Sequence, residues 1–199
     1  MKLIIPAILL MLVAGCSTAQ DSPSTINTNA ISGTNELILN EQDLQQLGMA
    51  SGGSEELQQL GMLSNGTDCK TEEYPTDEYS PLAQYSLCSY TINSLNDTGV
   101  IIELSKFTNL EDLNGTYQYS SLHLRSIGGL ISENDYGDQS RFYVNNENDY
   151  GAQHNDSNVY YYSLYISKDK YFIHISSKGS KEARDYIAKT GQIILSKFG

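Results

Sequence analysis

The sequence predicts an α+β protein in which an antiparallel sheet carries its helices on one face, as a two-layer sandwich. Two features of the 199-residue chain lead to this prediction. β-Rich runs occur in two pairs, each joined by a turn, and a helical pattern follows each pair. Paired strands followed by helices are typical of an antiparallel sheet whose apolar face is covered by a helix layer. We therefore expect a single domain around one core.

The first predicted hairpin pairs residues 85–92 with residues 100–107 across a loop rich in Asn, Asp and Gly. In the second of these strands apolar residues alternate with polar ones, and Glu103 lies on the polar side. This alternation indicates a half-buried sheet. Residues 108–111 match a capping box, which predicts that a helix begins directly after the hairpin.

The second predicted hairpin pairs residues 159–167 with residues 171–177 across a tight turn at residues 169–170. A two-residue turn sets the register of the two strands and places Ile166 opposite Ile173 on the face that we expect to be buried. An amphipathic helix then extends to about residue 197 and is expected to cover that face.

The opposite face of the second hairpin is aromatic. The chain contains fifteen tyrosines and no tryptophan, and tyrosine offers a flat apolar ring with a polar tip that suits contact with a protein or a glycan. We therefore predict a candidate binding face on these two strands. It consists of Tyr161, Tyr165, Phe172 and His174. The alternative is that a helix covers these residues, or that they form cross-strand pairs on a wet face.

The order of elements resembles that of the small PsbP/Mog1-like domains found in some prokaryotic lipoproteins. That order is hairpin, helix, short strand at residues 141–144, hairpin and helix. The resemblance concerns the fold alone and implies no activity.

The N-terminus has the composition of an export signal. Lys2 is followed by eleven apolar residues at positions 3–13, and small residues then lead to Cys16. The run Val-Ala-Gly-Cys at residues 13–16 resembles the lipobox of prokaryotic lipoprotein signal peptides. The resemblance implies that residues 1–15 are removed and that Cys16 is acylated, so that lipid holds the exported protein at a membrane surface. Eleven apolar residues are fewer than the about 20 that a spanning helix needs.

We divide the mature chain into a flexible tether at residues 16–35, rich in Ser, Thr and Asn, and a single α+β domain at residues 36–199. Near the start of that domain, residues 43–49 recur as residues 56–62 with six of seven positions identical. Each copy is long enough for one or two helical turns and ends near a glycine that suits a helix C-cap. The repeat is either a docking motif displayed twice or a local duplication of which one copy packs on the domain, and we favour the duplication.

Charge and cysteine content narrow the partners and the compartment. The chain has 24 Asp and Glu against 12 Lys and Arg, and this charge repels phosphate backbones and anionic headgroups. We therefore predict no nucleic-acid partner, and contact with the membrane through the lipid anchor only. With Cys16 taken by the lipid, Cys69 and Cys88 remain as an even pair, and we predict a disulfide between them in an oxidising compartment.

Residues suited to catalysis are not gathered in a known motif. The sequence contains no signature of a serine hydrolase, a zinc protease or a phosphate-binding loop. The segment Glu-Asn-Asp-Tyr-Gly, however, occurs at residues 133–137 and again at 147–151. Carboxylates in such loops are the ligands that calcium prefers. The candidate calcium ligands are Glu133, Asp135, Asp138, Glu147 and Asp149. We favour the simpler interpretation, that these are soluble turns and that no cofactor is bound.

Together these patterns predict an exported, lipid-anchored protein at the cell surface or at the periplasmic face of a membrane. We interpret it as a non-enzymatic domain for binding or assembly, with a protein or a glycan as partner. The alternative is an extracytoplasmic cation-assisted hydrolase or a calcium-binding protein that uses the repeated acidic loops.

Overall fold

In the computed structural model, described over residues 30–52, 68–75, 81–122, 129–145 and 159–199, eight strands form one antiparallel sheet. The strands are β1 (Met49–Ser51), β2 (Cys69–Glu73), β3 (Leu82–Ile92), β4 (Gly99–Phe107), β5 (Leu130–Glu133), β6 (Gln139–Asn145), β7 (Tyr160–Lys168) and β8 (Tyr171–Gly179). The helices are α1 (Glu41–Leu47), α2 (Leu110–Leu122) and α3 (Ala183–Ser196), preceded by a 3-10 turn at Thr34–Glu36. The order across the sheet is β1-β3-β4-β8-β7-β6-β5, and β2 pairs with the edge of β3 that β1 also uses. The predicted antiparallel sheet with helices is confirmed.

Both predicted hairpins are confirmed. In the second hairpin the register is the predicted one, with Ile166 opposite Ile173 and Leu164 opposite Ile175. Asp169, in the turn between the strands, has a φ of 53°. Aspartate is one of the residue types that adopt this left-handed conformation in turns.

One face of the sheet, which we call the aliphatic face, forms the main core. Its buried side chains in the central strands are Val100, Ile102, Leu104, Leu164, Ile166, Ile173 and Ile175. α3 packs on this face with one apolar side that includes Ala183, Ile187 and Ile194. α1 adds Leu47 at the edge of the same core.

The two longer helices lie on opposite faces of the sheet, which corrects the prediction that the helices pack on one face. α2 belongs to a separate buried cluster that consists of Phe107, Leu113, Tyr117, Tyr165 and Phe172. Successive residues of a strand point to opposite faces, so Tyr165 faces away from the core that Leu164 and Ile166 enter. The prediction failed because this second face carries enough aromatic surface to bury a helix of its own.

The folded domain begins earlier than the predicted boundary at residue 36. Thr34 is fully buried, and its hydroxyl lies 2.7 Å from the Oγ of Ser86 in β3. The hydroxyl of Tyr171 donates to the backbone carbonyl of Ile31 at 3.0 Å. The polar composition of residues 16–35 predicted a tether up to residue 35. The last of these residues are nevertheless part of the fold, because their polar groups form hydrogen bonds within it. The predicted signal peptide and the first part of the tether lie outside the described residues.

The first copy of the repeat forms α1 and the turn into β1. Asn40 caps the helix reciprocally: the Asp43 N–H donates to the Asn40 side chain and the Asn40 N–H donates to the Asp43 carboxylate, both at 2.9 Å. Gly48 ends the helix with a φ of 64°, so the predicted glycine C-cap is confirmed for this copy. The second copy, residues 56–62, lies outside the described residues. Among the described helices, none is long and apolar enough to cross a membrane.

Candidate functional site

The face opposite the aliphatic face carries all four residues of the predicted binding face, and we call it the tyrosine face. Its side chains alternate with the aliphatic ones along the central strands. In the ladder between β7 and β8, Tyr165 lies directly opposite His174. The polar and aromatic residues of the tyrosine face include Tyr85, Glu103, Arg141, Tyr161, Tyr165, Phe172 and His174.

α2 covers one half of the tyrosine face. Beneath the helix, Tyr165 is 2% exposed and Phe172 is 7% exposed. Arg141 of β6 fastens the helix: its Nη1 donates to the Ser121 hydroxyl at 2.6 Å, and its guanidinium lies 5.3 Å from the centre of the Tyr117 ring. Two of the four predicted binding residues therefore pack under α2 and do not face a ligand in this conformation.

A hydrogen-bonded cluster from three strands occupies the middle of the tyrosine face. The Tyr85 hydroxyl donates to Oε1 of Glu103 at 2.7 Å, and Nδ1 of His174 lies 2.6 Å from Oε2 of Glu103. The His174 ring stacks on Tyr165, with the ring centres 4.4 Å apart and the planes within 3° of parallel. The sequence predicts His174 as a binding residue but does not predict Tyr85 and Glu103 as its neighbours. The available signal was a carboxylate in the middle of a strand that is otherwise mostly apolar.

The hydrogen bonds of this cluster fix its protonation. Burial raises the pKa of the Glu103 carboxyl, but the hydrogen bond and charge of His174 and the hydrogen bond from Tyr85 outweigh burial, so this pKa lies below its usual value. Burial, and then the neighbouring Glu103 carboxylate, raises the pKa of Tyr85. At neutral pH the carboxylate is therefore ionised and the phenol protonated. Because an ionised carboxylate only accepts hydrogen bonds, Nδ1 of His174 carries a proton.

The second ring nitrogen of His174 is enclosed. Its Nε2 is buried and has no hydrogen-bond partner within the described part of the chain. A carboxylate that orients an imidazole is also part of acid–base active sites, but there the other ring nitrogen reaches the substrate. In this conformation the cluster instead holds the His174 ring between Glu103 and Tyr165.

Beyond His174, the other half of the tyrosine face contains a concavity of about 460 Å³. Its walls include Ile101, Tyr161, Ser176 and Lys178. The Nζ of Lys178 lies 6.0 Å from the centre of the Tyr161 ring, at the outer limit of a cation–π contact. Of the four predicted binding residues, Tyr161 is the one that lines this concavity.

The acidic loop between β5 and β6 is paired with cationic side chains. Glu133 accepts a hydrogen bond from Nε of Arg141 at 2.9 Å. Asp138 accepts one from Nζ of Lys168 at 3.0 Å. Burial raises the pKa of the Asp138 carboxyl, but hydrogen bonds from the Asp169 backbone N–H and from Lys168 outweigh it and lower that pKa. Both carboxylates are thus already neutralised by protein cations.

Three of the five predicted calcium ligands lie within the described residues. Glu147 and Asp149 lie outside the described residues, and Asp135 lies in the described turn between β5 and β6. Over the ranges that are described, no three His, Cys, Asp or Glu residues converge on a point where a metal ion could bind. The calcium site therefore stays a prediction.

Cys69 and Cys88 form a disulfide, which confirms the predicted pairing. The two residues face each other in the ladder between β2 and β3, with their Cα atoms 4.1 Å apart. Cys88 is fully buried on the aliphatic face together with Tyr90 and Ile92. The bond ties the largely polar strand β2 to the core. Cys16, the predicted lipidation site, lies outside the described residues.

No family model matches this chain, and no curated protein matches it. Among solved structures, the chain is similar to the extracellular domain of PknH from Mycobacterium tuberculosis, with a TM-score of 0.48. The match covers 85% of this chain and 99% of that chain, at 9% sequence identity. A similarity at this level supports no conclusion about activity or partners.

Proposed function

We propose that this protein is an exported lipoprotein, anchored by acyl groups on Cys16, that acts by binding and not by catalysis. Its ligand surface is the half of the tyrosine face that α2 leaves uncovered. The observation that carries this proposal is the concavity of about 460 Å³ in that half of the face. Tyr161 and Lys178 are among the residues that line it. An aromatic ring, an ammonium group and serine hydroxyls at one site suit a glycan or a peptide, which presents both apolar faces and polar groups.

Export is supported by the disulfide. Cys69 and Cys88 are bonded within a single sheet, and structural disulfides persist in compartments outside the reducing cytoplasm. The lipobox-like run that ends at Cys16 supports the same address. Because the chain has more acidic than basic residues, anionic headgroups do not attract it. The lipid on Cys16 therefore has to hold the protein at the membrane.

The geometry of the central cluster favours binding over catalysis. Glu103 uses one carboxylate oxygen for Tyr85 and the other for His174. The remaining nitrogen of His174 is buried. None of the three cluster residues is among the described residues that line the concavity, so a ligand there does not reach a base of the cluster. The cluster therefore serves as a rigid support beside the ligand surface.

The ligand surface is tested by filling the concavity. Ser176→Trp places an indole in the concavity, while Tyr119→Ser changes a 65% exposed tyrosine on α2, outside the concavity. Binding of the soluble domain to purified cell envelopes of the host is measured by co-sedimentation. We expect Ser176→Trp to weaken binding at least about tenfold and Tyr119→Ser to leave it unchanged, with both variants folded. Equal binding by all three proteins, or no binding by the wild-type domain, contradicts the proposal.

The anchor is tested separately by Cys16→Ala, with fractionation of cells and metabolic labelling by a fatty acid. We expect the wild-type protein to be labelled and membrane-bound, and the variant to be unlabelled and either released or unprocessed. A Cys16→Ala protein that is processed and still remains membrane-bound at full yield would show that the lipoprotein assignment is wrong.

A further inference from the structure

We call the site that α1 and β1 occupy the α1 seat. Its contacts restrict which side chains fit there. Leu47 and Met49 are each 4% exposed in the main core, and the Thr190 hydroxyl of α3 lies 3.9 Å from the sulfur of Met49. At the rim, Lys197 forms an ion pair with Asp43 at 2.8 Å. Gly48 supplies the left-handed turn that leads from helix to strand. The seat thus selects an acid, a leucine, a glycine and a methionine at fixed spacing.

The second copy of the repeat offers the same side chains at the same spacing. Residues 56–66 match residues 43–53 at eight of eleven positions, and the leucine, glycine and methionine of the seat recur as Leu60, Gly61 and Met62. Glu56 stands where Asp43 pairs with a lysine, so the charge is kept as well.

The positions of β1 and β2 beside β3 determine whether the second copy could occupy the α1 seat. β1 and β2 lie end to end along one edge of β3, with Ser51 opposite Tyr90 and Cys69 opposite Cys88. Between these two pairs, the Ser89 N–H donates to the carbonyl of residue 68 at 2.7 Å, and the N–H of residue 52 donates to the Ser89 carbonyl at 3.4 Å. Residues 52 and 68 therefore both contact Ser89 at this edge of β3.

We propose that residues 56–62 are an alternative occupant of the α1 seat and exchange with residues 43–49 within one chain. The exchange shifts the register by thirteen residues. Ser64 then takes the place of Ser51 beside β3, and the surplus thirteen residues lie before the helix instead of after it. Neither the residues of the seat nor the disulfide at Cys69 has to move. The proposal is independent of the ligand surface on the tyrosine face.

The first copy is the favoured occupant for two reasons. Asn40 caps α1, whereas Gly53 stands at the equivalent position before the second copy and offers no side chain for a cap. A Cβ atom at Gly52 would lie 2.8 Å from the Thr91 side chain, and the second copy has Asn65 at that position. The second copy is therefore the minor occupant in the wild-type protein, and a ligand that binds one displaced copy shifts the balance between them.

A double-mutant cycle on the chain without its signal peptide tests the exchange. Leu47→Asp places a charge in the seat from the first copy, and Leu60→Asp does the same for the second. When Leu60→Asp is present, we expect Leu47→Asp to lower Tm by about 10 °C or more. When Leu60 is intact, we expect the decrease in Tm caused by Leu47→Asp to be smaller by at least about 5 °C. An equal decrease in both backgrounds, or no decrease in either, overturns the proposal.

Crosslinking reports the exchange directly. Met49→Cys with Thr190→Cys is the control pair because those side chains are already in contact. Met62→Cys with Thr190→Cys, combined with Leu47→Asp, is the test pair. A crosslink within the monomer supports the exchange, whereas a crosslinked dimer assigns the second copy to another molecule and overturns the intrachain proposal. Absence of any crosslink in the test pair also overturns it.

Discussion

The two faces of the sheet are built from the same strands but are stabilised in different ways. On the aliphatic face the central strands present valine, isoleucine and leucine side chains, and α3 closes over them. On the tyrosine face the same strands present aromatic and polar side chains that stack and hydrogen-bond with one another. α2 covers only part of that second face. Leu164 and Tyr165, neighbours in β7, therefore belong to different environments.

Because of this difference, most of the stability of the domain is expected to come from the aliphatic face. A buried leucine or isoleucine contributes about 1.5–3 kcal/mol through loss of contact with water. A hydrogen bond on a partly wet face contributes a net of about 0.5–1.5 kcal/mol, because water offers competing bonds. The aliphatic face thus holds the domain together, and substitutions on the open half of the tyrosine face are expected to cost less stability.

Truncation of one side chain on each face gives the most direct test of this comparison. Leu164 is fully buried and packs under Gly191 of α3, so Leu164→Ala is expected to lower the free energy of unfolding by about 2–5 kcal/mol. Tyr161, three residues earlier on the same strand, is half-buried, and Tyr161→Ala is expected to cost about 1 kcal/mol. Urea denaturation measures both values. A Tyr161→Ala cost equal to that of Leu164→Ala would break the comparison.

Removal of the disulfide tests how much the aliphatic face depends on a covalent tie at its edge. The bond joins residues 19 apart in sequence, and a loop of that size predicts a stabilisation of about 3 kcal/mol. We expect Cys69→Ala with Cys88→Ala to lower the free energy of unfolding by that amount while the sheet remains folded. Addition of a reductant to the wild-type protein is the matched control and should reproduce the loss. An unchanged free energy in both cases would show that the disulfide adds nothing to the stability of the fold.

The sequence allowed prediction of the fold where side chains alternate regularly. β4, β7 and β8 carry an apolar residue at almost every second position. This alternation was enough to predict the turns that join the strands and the pairing of Ile166 with Ile173. β1, β2 and β5 were missed because strands of three to five residues leave too little alternation to recognise. They are held by backbone pairing with β3 and β6, which depends on the whole sheet.

The candidate site was predictable only in part for the same reason. Tyr161 and His174 lie in one hairpin, so a local pattern places them on one face. The pairing of β4 with β8, which brings Glu103 beside His174, joins strands about seventy residues apart and leaves no local signature. The position of α2 depends on that pairing too, because its apolar side chains pack on aromatic residues from three different strands.

The pH dependence of stability tests the cluster at the centre of the tyrosine face. The pKa of Glu103 in the folded protein lies below its ordinary value of 4.5, so its carboxylate contributes stability that is present above that pH. This contribution is lost as the pH falls through the lowered pKa. We expect Glu103→Gln to cost about 1 kcal/mol at neutral pH and to reduce the loss of stability below pH 4.5.

The matched control for that measurement is Glu111→Gln, which changes an exposed glutamate on α2. We expect it to leave both the neutral stability and the acid limb unchanged. Denaturation curves between pH 3 and pH 7, on the order of one per pH unit, resolve the difference. If Glu103→Gln and Glu111→Gln behave alike, hydrogen bonds contribute nothing measurable on the tyrosine face.

The smallest expected effect concerns calcium, and it tests whether the acidic loop at the sheet edge adds a third source of stability. Glu133 is paired with Arg141 and Asp138 with Lys168, so an ion would have to displace a protein cation at each carboxylate. We expect about 5 mM calcium chloride to shift Tm by less than about 1 °C, the same as sodium chloride of equal ionic strength. A rise in Tm that saturates with calcium but not with sodium would contradict this expectation. Such a rise would support a calcium site that includes Glu147 and Asp149, and with it the alternative function as a calcium-binding protein.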